Sequence, residues 1–325
     1  MSETLFLESS EALSALAEMN ISDSRVSFFQ TAPWLALWNS RPRFQCEVMV
    51  AYDGDVPVGY FPFCTRRKLG FVELYSMPMG TYGGPVVLDS ERASLESLTK
   101  QFLESTITLK SSRVNIVDFS GELGQAMNGF RVSECSTHVV DLGLEIDGIR
   151  SKLSENHRRN LDKSQSLEFD VRTVETAGDI ESYARISAET DLRHGVKHHI
   201  DRSFFGSIPD NIPDLNLQWQ VVYVDAEPCV GHIYFLWGDS VFYWHGCSNE
   251  KGLVSGANFR LFWDNIRNFH ERGFVSLNLG ASPAVAGELE RFKRGWGGIK
   301  RTYHEYERES TLHANLRKTR ERFKR

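Results

Sequence analysis

Lys293 is the side chain in this sequence best suited to stabilising a developing negative charge. It lies on a helix predicted near residues 284–294. The apolar stripe of that helix is formed by Val285, Leu289, Phe292 and Trp296. Lys293 is at the edge of the stripe, so its ammonium would be partly shielded from water, and such a group beside an acyl carbonyl stabilises the oxyanion of a tetrahedral intermediate. The alternative is a surface lysine that complements the dipole at a helix C-terminus.

Two predicted strands carry the next candidates. Tyr243 and His245 are two residues apart and are therefore expected on one face of the strand 241–245. Asn278 lies on the following strand, 274–279. The imidazole of His245 titrates near neutrality and is a candidate base for an attacking amine. The competing interpretation is a histidine held by hydrogen bonds in the core.

Between these strands the sequence predicts a loop, Ser248 to Gly256, and a helix that begins at Ala257. Ser255 is the candidate N-cap of the helix, and Gly273 is its candidate stop. The apolar residues of the helix recur at spacings of three and four: Phe259, Phe262, Trp263, Ile266 and Phe269.

Basic residues concentrate in two stretches, 152–163 and 317–325. Arginine binds phosphate in a planar, bidentate way, so Arg158 and Arg159 are candidate ligands for a phosphate-bearing substrate. The C-terminal stretch has the charge to meet a tRNA or a membrane surface. For both stretches the alternative is a helix face exposed to water.

The elements that position these residues occur twice. Residues 50–63 are echoed by residues 222–235 when Gly59 is aligned with Gly231. Each copy has an apolar strand, an acidic turn and a second apolar strand, which predicts a β-hairpin. A strand, a loop, a helix and another strand follow in both halves. A repeat of this length indicates a duplicated domain, because solenoid repeats recur every 20–50 residues.

The composition is that of a globular protein. Of the 325 residues, 41% are hydrophobic and 25% are charged, and the net charge of −6 argues against a dedicated nucleic-acid-binding protein. The sequence has no apolar run of membrane-spanning length, and its first residues are acidic where a signal peptide is basic. The five cysteines are odd in number and have no CxxC spacing, which predicts reduced thiols and a cytoplasmic location.

Several common chemistries are excluded because their motifs are missing: GxxxxGK[ST], GxGxxG after a strand, GxSxG and HExxH. His194, His198 and His199 have no carboxylate at a familiar spacing, so we expect loop histidines and no metal site. A group-transfer enzyme or a binding protein remains.

Four short segments then carry a resemblance to a known family. They are FQTAPW at 29–34, GGPVV at 83–87, VVDL at 139–142 with HRRNL at 157–161, and FK at 292–293 with GWGG at 295–298. From about residue 28 to 306 the chain resembles the tandem-GNAT acyltransferases. That group includes the Fem-type peptidoglycan-bridge aminoacyltransferases and acyltransferases linked to exopolysaccharide biosynthesis.

The resemblance implies an α/β (α+β) fold with two tandem GNAT-like domains, each a central mixed β-sheet flanked by helices. The implied domains are residues 1–148, residues 149–310 with the acyl-donor site, and a basic tail, 311–325. The resemblance places Phe292 and Lys293 at the acyl donor. The loop with Lys251, Ser255, Gly256 and Ala257 stands where acyl-CoA GNATs grip a pyrophosphate, although its glycine spacing differs from the usual one.

The implied function is transfer of an acyl group, from acyl-CoA, to an amine of an envelope or polysaccharide precursor or another small acceptor. The expected catalytic residues are Lys293, His245 and Tyr243, and the expected substrate-binding residues are Arg158, Arg159 and Asn278. No tightly bound cofactor is expected. Two alternatives stay open: a Fem-type peptidyltransferase that uses aminoacyl-tRNA, and a non-catalytic GNAT-fold protein that binds a ligand.

Overall fold

The structure, a computed structural model, describes residues 3–18, 26–68, 70–195, 200–282 and 287–315. It divides the chain into two compact units, Met1–Cys135 with Thr302–Arg325, and Ser136–Arg301. Within the described ranges, no helix is both long and apolar enough to cross a membrane.

Strands and helices are interspersed along the described chain. The strands are β1 (Glu3–Glu8), β2 (Phe44–Asp53), β3 (Val56–Lys68), β4 (Phe71–Tyr75), β5 (Val86–Val87), β6 (Arg113–Asp118), β7 (Arg131–Asp141), β8 (Asp170–Thr173), β9 (Leu217–Val224), β10 (Glu227–Trp237), β11 (Ser240–Ser248), β12 (Ser276–Ser282) and β13 (Ile299–Glu309). The helices are α1 (Ser9–Glu18), α2 (Ala32–Asn39), α3 (Leu95–Glu104), α4 (Thr106–Lys110), α5 (Ile146–Lys152), α6 (Glu155–Ser164), α7 (Ala177–Arg193), α8 (Arg202–Asn211), α9 (Glu250–Ser255), α10 (Ala257–Glu271) and α11 (Gly287–Gly295).

The first unit is built on a mixed sheet in the order β1-β2-β3-β4-β6-β13, with β5 beside β3. Only the β4–β6 pair is parallel; the other neighbours are antiparallel. Helix α3 covers this sheet through Leu98 and Phe102, and Phe102 stacks on Phe61 of β3.

The second unit repeats this plan in the order β7-β12-β11-β10-β9-β8, and its parallel pair is β11–β12. Helix α10 begins at Ala257 as predicted, and Gly273 follows its end with φ +82°. Four of its five predicted core residues are buried: Phe262, Trp263, Ile266 and Phe269. The predicted fold class, two similar α/β units with mixed strand pairing and flanking helices, is confirmed.

The duplicated hairpins are also confirmed. Gly59 lies in β3 and Gly231 in β10, the second strand of its hairpin in each case. A Cβ on Gly59 would lie 2.3 Å from Leu98 Cδ1, and one on Gly231 would lie 2.5 Å from Tyr183 Cε2. Both positions therefore require glycine because a helix side chain occupies the space of a Cβ.

The unit boundaries differ from the predicted 1–148 and 149–310 because the two halves exchange a strand. In sequence β7 follows β6, but from Ser136 onward it pairs with β12 of the second unit. In the same way β13 follows β12, but it pairs with β6 of the first unit. Of the predicted tail, 311–325, residues 311–315 belong to the first unit, and residues 316–325 lie outside the described chain.

The prediction that all cysteines are free thiols is wrong for one pair. Cys46 and Cys64 form a disulfide between directly opposite positions of β2 and β3. Their separation of 18 residues in sequence gives no spacing signal, because the antiparallel register alone brings the two side chains together. Cys135, Cys229 and Cys247 are free.

Candidate active site

Lys293 is more deeply buried than its sequence position predicts. It lies near the end of α11 and is 4% exposed, whereas Leu289, predicted on the apolar stripe, is 39% exposed. The ammonium Nζ donates hydrogen bonds to the backbone carbonyls of Gly280, at 2.8 Å, and Ala281, at 2.6 Å. Val285, the first residue of the predicted stripe, lies outside the described residues.

An irregularity in β12 aims these two carbonyls at the lysine. The pairing of β12 with β7 shifts register between Asn278 and Ala281, and Gly280 within the shift has φ +75°. A Cβ on Gly280 would lie 3.1 Å from the carbonyl oxygen of Tyr243. Such a bulge re-aims the groups of the strand that carries it. The Lys293 side chain therefore meets the backbone of β12 where the strand is irregular.

The parallel pairing of β11 with β12 ends at the same place. Its last pair is Phe242–Asn278, although β11 continues to Ser248 and β12 to Ser282. Asn278 is buried, and its side-chain Oδ1 accepts hydrogen bonds from the Gly280 N–H and the Thr137 hydroxyl. The parallel pairing of the two strands thus ends next to Lys293.

The equivalent place in the first unit is occupied by the chain itself. Beyond the last pair of β4 with β6, the Ser76 N–H donates to the Asn115 carbonyl at 2.8 Å. The Gly83 N–H donates to the Val117 carbonyl at 2.9 Å, and a Cβ on Gly83 would lie 2.6 Å from Ser76 Oγ. Residues 76–84 therefore fill the separation of the strands in the first unit.

Burial also changes the acidity of Lys293. Loss of hydration lowers the pKa of its ammonium from 10.5 to about 8. At neutral pH the group is still mainly protonated. An ammonium has three N–H donors, and the two carbonyls account for two hydrogen bonds recorded among the described residues. The arrangement can therefore supply a poorly hydrated positive charge and a further donor.

This pKa predicts how stability changes with pH. The folded value lies below that of the unfolded chain, so the unfolded chain binds more protons between about pH 8 and 10.5. We expect the free energy of unfolding to rise over this range by roughly 3 kcal/mol relative to a Lys293→Met variant, at 1.36 kcal/mol per pKa unit. Urea unfolding of both proteins at several pH values measures the difference. A pH-independent difference contradicts the shifted pKa.

Comparison with known proteins relates this geometry to the GNAT fold. The sequence model of the Acetyltransferase (GNAT) domain matches residues 151–294. The FemX crystal structure is similar over 93% of this chain and 96% of its own, with 12% identity and a TM-score of 0.71. A tandem GNAT protein from the clavulanic acid biosynthesis pathway is similar over 94% and 98%, with 9% identity and a TM-score of 0.59. Residues 151–294 therefore match the GNAT domain, and the chain has the tandem-GNAT fold.

A third structure shares this fold. The L-PGS structure from Bacillus licheniformis is similar over 92% of this chain and 91% of its own, with 13% identity and a TM-score of 0.57. No curated protein matches the chain by sequence.

Tyr243 and His245 do not share a face of β11, so that prediction is wrong. The pairing of β10 with β11 shifts register between Ile233 and Tyr234. As a result Tyr243 contacts Phe262 of α10, whereas His245 contacts Phe205 of α8. A strand bulge reverses the alternation on which the prediction depended.

His245 and Tyr243 are also hard to ionise. His245 Nδ1 lies 2.6 Å from the hydroxyl of Tyr183, and burial lowers the pKa of His245 to about 4. The imidazole is therefore neutral at physiological pH but is a weak base. Burial raises the pKa of Tyr243 far above its usual range, so this residue remains a neutral phenol.

The predicted loop before α10 is wrong over most of its length, because Glu250–Ser255 is helix α9. Lys251 lies in that helix and pairs with Asp225 at 3.1 Å and with Glu227 at 3.2 Å. Gly256, with φ +78°, takes the N-cap position predicted for Ser255. The Ser255 hydroxyl still accepts a hydrogen bond from the Ala257 N–H at 3.3 Å.

Arg158 and Arg159 lie exposed on α6. Arg158 donates to the Ser151 carbonyl at 3.2 Å, and Arg159 donates to Asn156 Oδ1 at 3.1 Å. They line an open hollow with Glu155, Asp162 and Lys163. Asp162 is paired with Arg150 at 2.7 Å, so the basic residues of the hollow are only partly neutralised.

His157, next to these arginines in sequence, belongs to the core. It is 5% exposed, and its Nδ1 lies 3.0 Å from Ser154 Oγ. Its ring packs against Phe292 and Trp296, with ring centroids 5.5 Å and 5.0 Å away. Burial lowers its pKa to about 4. Phe292, predicted near the acyl donor, thus packs within this aromatic cluster.

The described residues contain no group of three or more His, Cys, Asp or Glu side chains placed to hold a metal ion. His194 is the C-cap of α7, and His198 and His199 lie outside the described residues. Thr137 is the site residue that the sequence reasoning missed. It belongs to β7 and touches Asn278 and Gly280, but a threonine in a strand gives no signal of such a role.

Proposed function

We propose that the protein transfers an acyl group from acyl-CoA to the amine of a small acceptor, such as an envelope or polysaccharide precursor. The observation that carries the proposal is the buried ammonium of Lys293, next to the point where β11 and β12 separate. This point lies in the unit that contains the GNAT match. In the first unit, residues 76–84 occupy the corresponding position beyond the last β4–β6 pair, which supports a single donor site.

In the proposed reaction the amine attacks the thioester carbonyl directly. A C–N bond forms, the carbonyl oxygen becomes an oxyanion, and an N–H of Lys293 stabilises it. Collapse breaks the C–S bond, and the proton lost by the amine goes to the leaving thiolate. His245 is too weak a base to take that proton efficiently, given its pKa of about 4.

A covalent acyl-enzyme is disfavoured among the free cysteines. Burial raises the pKa of Cys229 to about 11 and raises those of Cys135 and Cys247. Only the thiolate is an effective nucleophile. These thiols are therefore protonated at neutral pH, which supports direct transfer.

The identity of the donor is the part of the proposal to test first. Residues 251–255 are helical rather than a loop, and Lys251 is already paired with Asp225 and Glu227. Both observations weaken the case for a pyrophosphate site at residues 251–257. The acidic net charge supports acyl-CoA over aminoacyl-tRNA. Aminoacyl transfer from tRNA and ligand binding without catalysis are the alternatives. A cytoplasmic location and contact of the basic tail with a membrane stay predictions.

Titration with CoA, acetyl-CoA, a UDP-sugar and charged tRNA tests the donor. A ligand that binds only the folded protein raises the melting temperature by mass action. We expect stabilisation by CoA and acetyl-CoA, accompanied by thiol release when an amine is added. Stabilisation by charged tRNA alone favours the peptidyltransferase, and binding of the UDP-sugar without thiol release favours the non-catalytic alternative.

Arg158 and Arg159 are proposed to bind a phosphate of the donor or acceptor. The Arg158→Ala and Arg159→Ala variants should each weaken that ligand about tenfold, the lower range for losing a charge-assisted hydrogen bond. The loss should shrink at high salt, and the melting temperature should change little because both side chains are exposed. Arg267→Ala, on an exposed arginine of α10, is the matched control. If the parent and the three variants bind the phosphate-bearing ligand with equal affinity, Arg158 and Arg159 have no role in binding it.

A further inference from the structure

Thr137 lies behind the carbonyls that hold Lys293. It belongs to β7, is fully buried, and is opposite Ala281 in the register of β7 with β12. Its Oγ1 lies 2.7 Å from Asn278 Oδ1 and 2.6 Å from the Gly280 carbonyl oxygen. Both distances are those of O–H···O hydrogen bonds.

Both partners of the hydroxyl are acceptors. Asn278 Oδ1 already accepts the Gly280 N–H at 2.9 Å, which identifies that atom as the amide oxygen. The second partner is a backbone carbonyl. A threonine hydroxyl has one proton, so it satisfies one acceptor at a time, and a rotation about the C–O bond moves the proton between them without moving a heavy atom.

The Gly280 carbonyl is also one of the two that hold the Lys293 ammonium, at 2.8 Å. When the Thr137 proton points to Asn278, this carbonyl depends on Lys293 among its recorded donors. When the proton points to Gly280, the carbonyl is satisfied without Lys293, and the ammonium is held less tightly. The position of one proton therefore decides how strongly Lys293 is bound to the strand.

We propose that Thr137 is a positioning residue whose hydroxyl takes over the Gly280 carbonyl while Lys293 turns its N–H donors to the developing oxyanion. This inference rests on the proposed function of Lys293. A buried carbonyl that loses its donor is costly, and the hydroxyl removes that cost from the transition state. Thr137 itself need not touch the substrate.

Thr137→Val and Thr137→Ser test the proposal. Valine removes the proton at similar shape, and serine keeps it. With acetyl-CoA as donor and hydroxylamine as acceptor, Thr137→Val should lower kcat about tenfold and leave KM for acetyl-CoA nearly unchanged. Thr137→Ser should restore kcat. Thr99→Val, which removes a buried hydroxyl bonded to the Leu95 carbonyl in the first unit, should leave kcat unchanged.

A second measurement does not need catalysis. Peptide mass spectrometry follows the acetylation of Lys293 by acetic anhydride, at a pH near its pKa of about 8. An ammonium held more tightly reacts more slowly, so labelling should be roughly three- to tenfold slower in Thr137→Val and unchanged in Thr137→Ser.

The two measurements separate the proposals. Equal labelling of Lys293 in all variants overturns the role of Thr137, whatever the activity. If the parent protein releases no thiol from acetyl-CoA, the proposed donor is wrong, and the labelling still decides the inference about Thr137. A Thr137→Ser variant as slow as Thr137→Val, in both kcat and labelling, also overturns it.

Discussion

Replacing Lys293 with alanine should lower kcat by about 10²–10³, the effect of losing one oxyanion donor. The variant should remain folded, because Thr137 still donates to the Gly280 carbonyl. Steady-state kinetics with the donor found by titration gives kcat, and thermal unfolding confirms that the fold persists. Arg294→Ala, the exposed neighbour on α11, is the control and should keep full activity.

Two further variants separate charge from packing at this position. Lys293→Met keeps the volume without the charge and should be as slow as the alanine variant. Lys293→Arg should recover only part of the rate, because a planar guanidinium presents its donors differently from an ammonium. Parent-like turnover in Lys293→Ala removes the lysine from the mechanism.

Gly295→Ala should strongly destabilise the second unit. A Cβ at this position would lie 2.1 Å from Cε1 and 2.3 Å from Nδ1 of His157. The imidazole cannot easily move, because Phe259, Phe292 and Trp296 surround it. We expect a loss of about 3 kcal/mol, the upper range for overpacking, measured as the change in the free energy of unfolding in urea.

A double-mutant cycle shows whether this clash is the cause. In Gly295→Ala with His157→Ala, the loss should be smaller than the sum of the two single losses, because the ring that clashes is gone. Gly287→Ala, on the same helix and with no atom near the added methyl, should be neutral or slightly stabilising. Additive losses in the cycle, or an equal loss at Gly287, contradict the explanation.

Local patterns predicted the elements well. The repeated hairpins, the start of α10 at Ala257 and its end before Gly273 all follow from turn residues and from apolar spacing. The Phe292–Lys293 pair was identified from its position on a stripe and from the family resemblance. These features depend on residues close together in sequence, and for that reason a single sequence reveals them.

Long-range geometry was not predictable in the same way. The face of His245 depends on a bulge in β11, and the environment of Lys293 depends on a register shift in β12. The contact of Gly295 with His157 and the pairing of Cys46 with Cys64 arise only when distant segments meet. Periodicity carries no information about contacts between distant segments, so it could not identify the partners of the candidate residues.

The exchanged strands impose an order on biosynthesis. Ser136–Arg301 is continuous, so every strand of the second unit has been synthesised before the paired part of β13 is made. The first unit is completed later, because Glu305, the partner of the Asn115 side chain, is synthesised 190 residues after Asn115. Closing so long a loop is entropically costly and slow. The unit whose synthesis begins second is therefore the first that can fold completely.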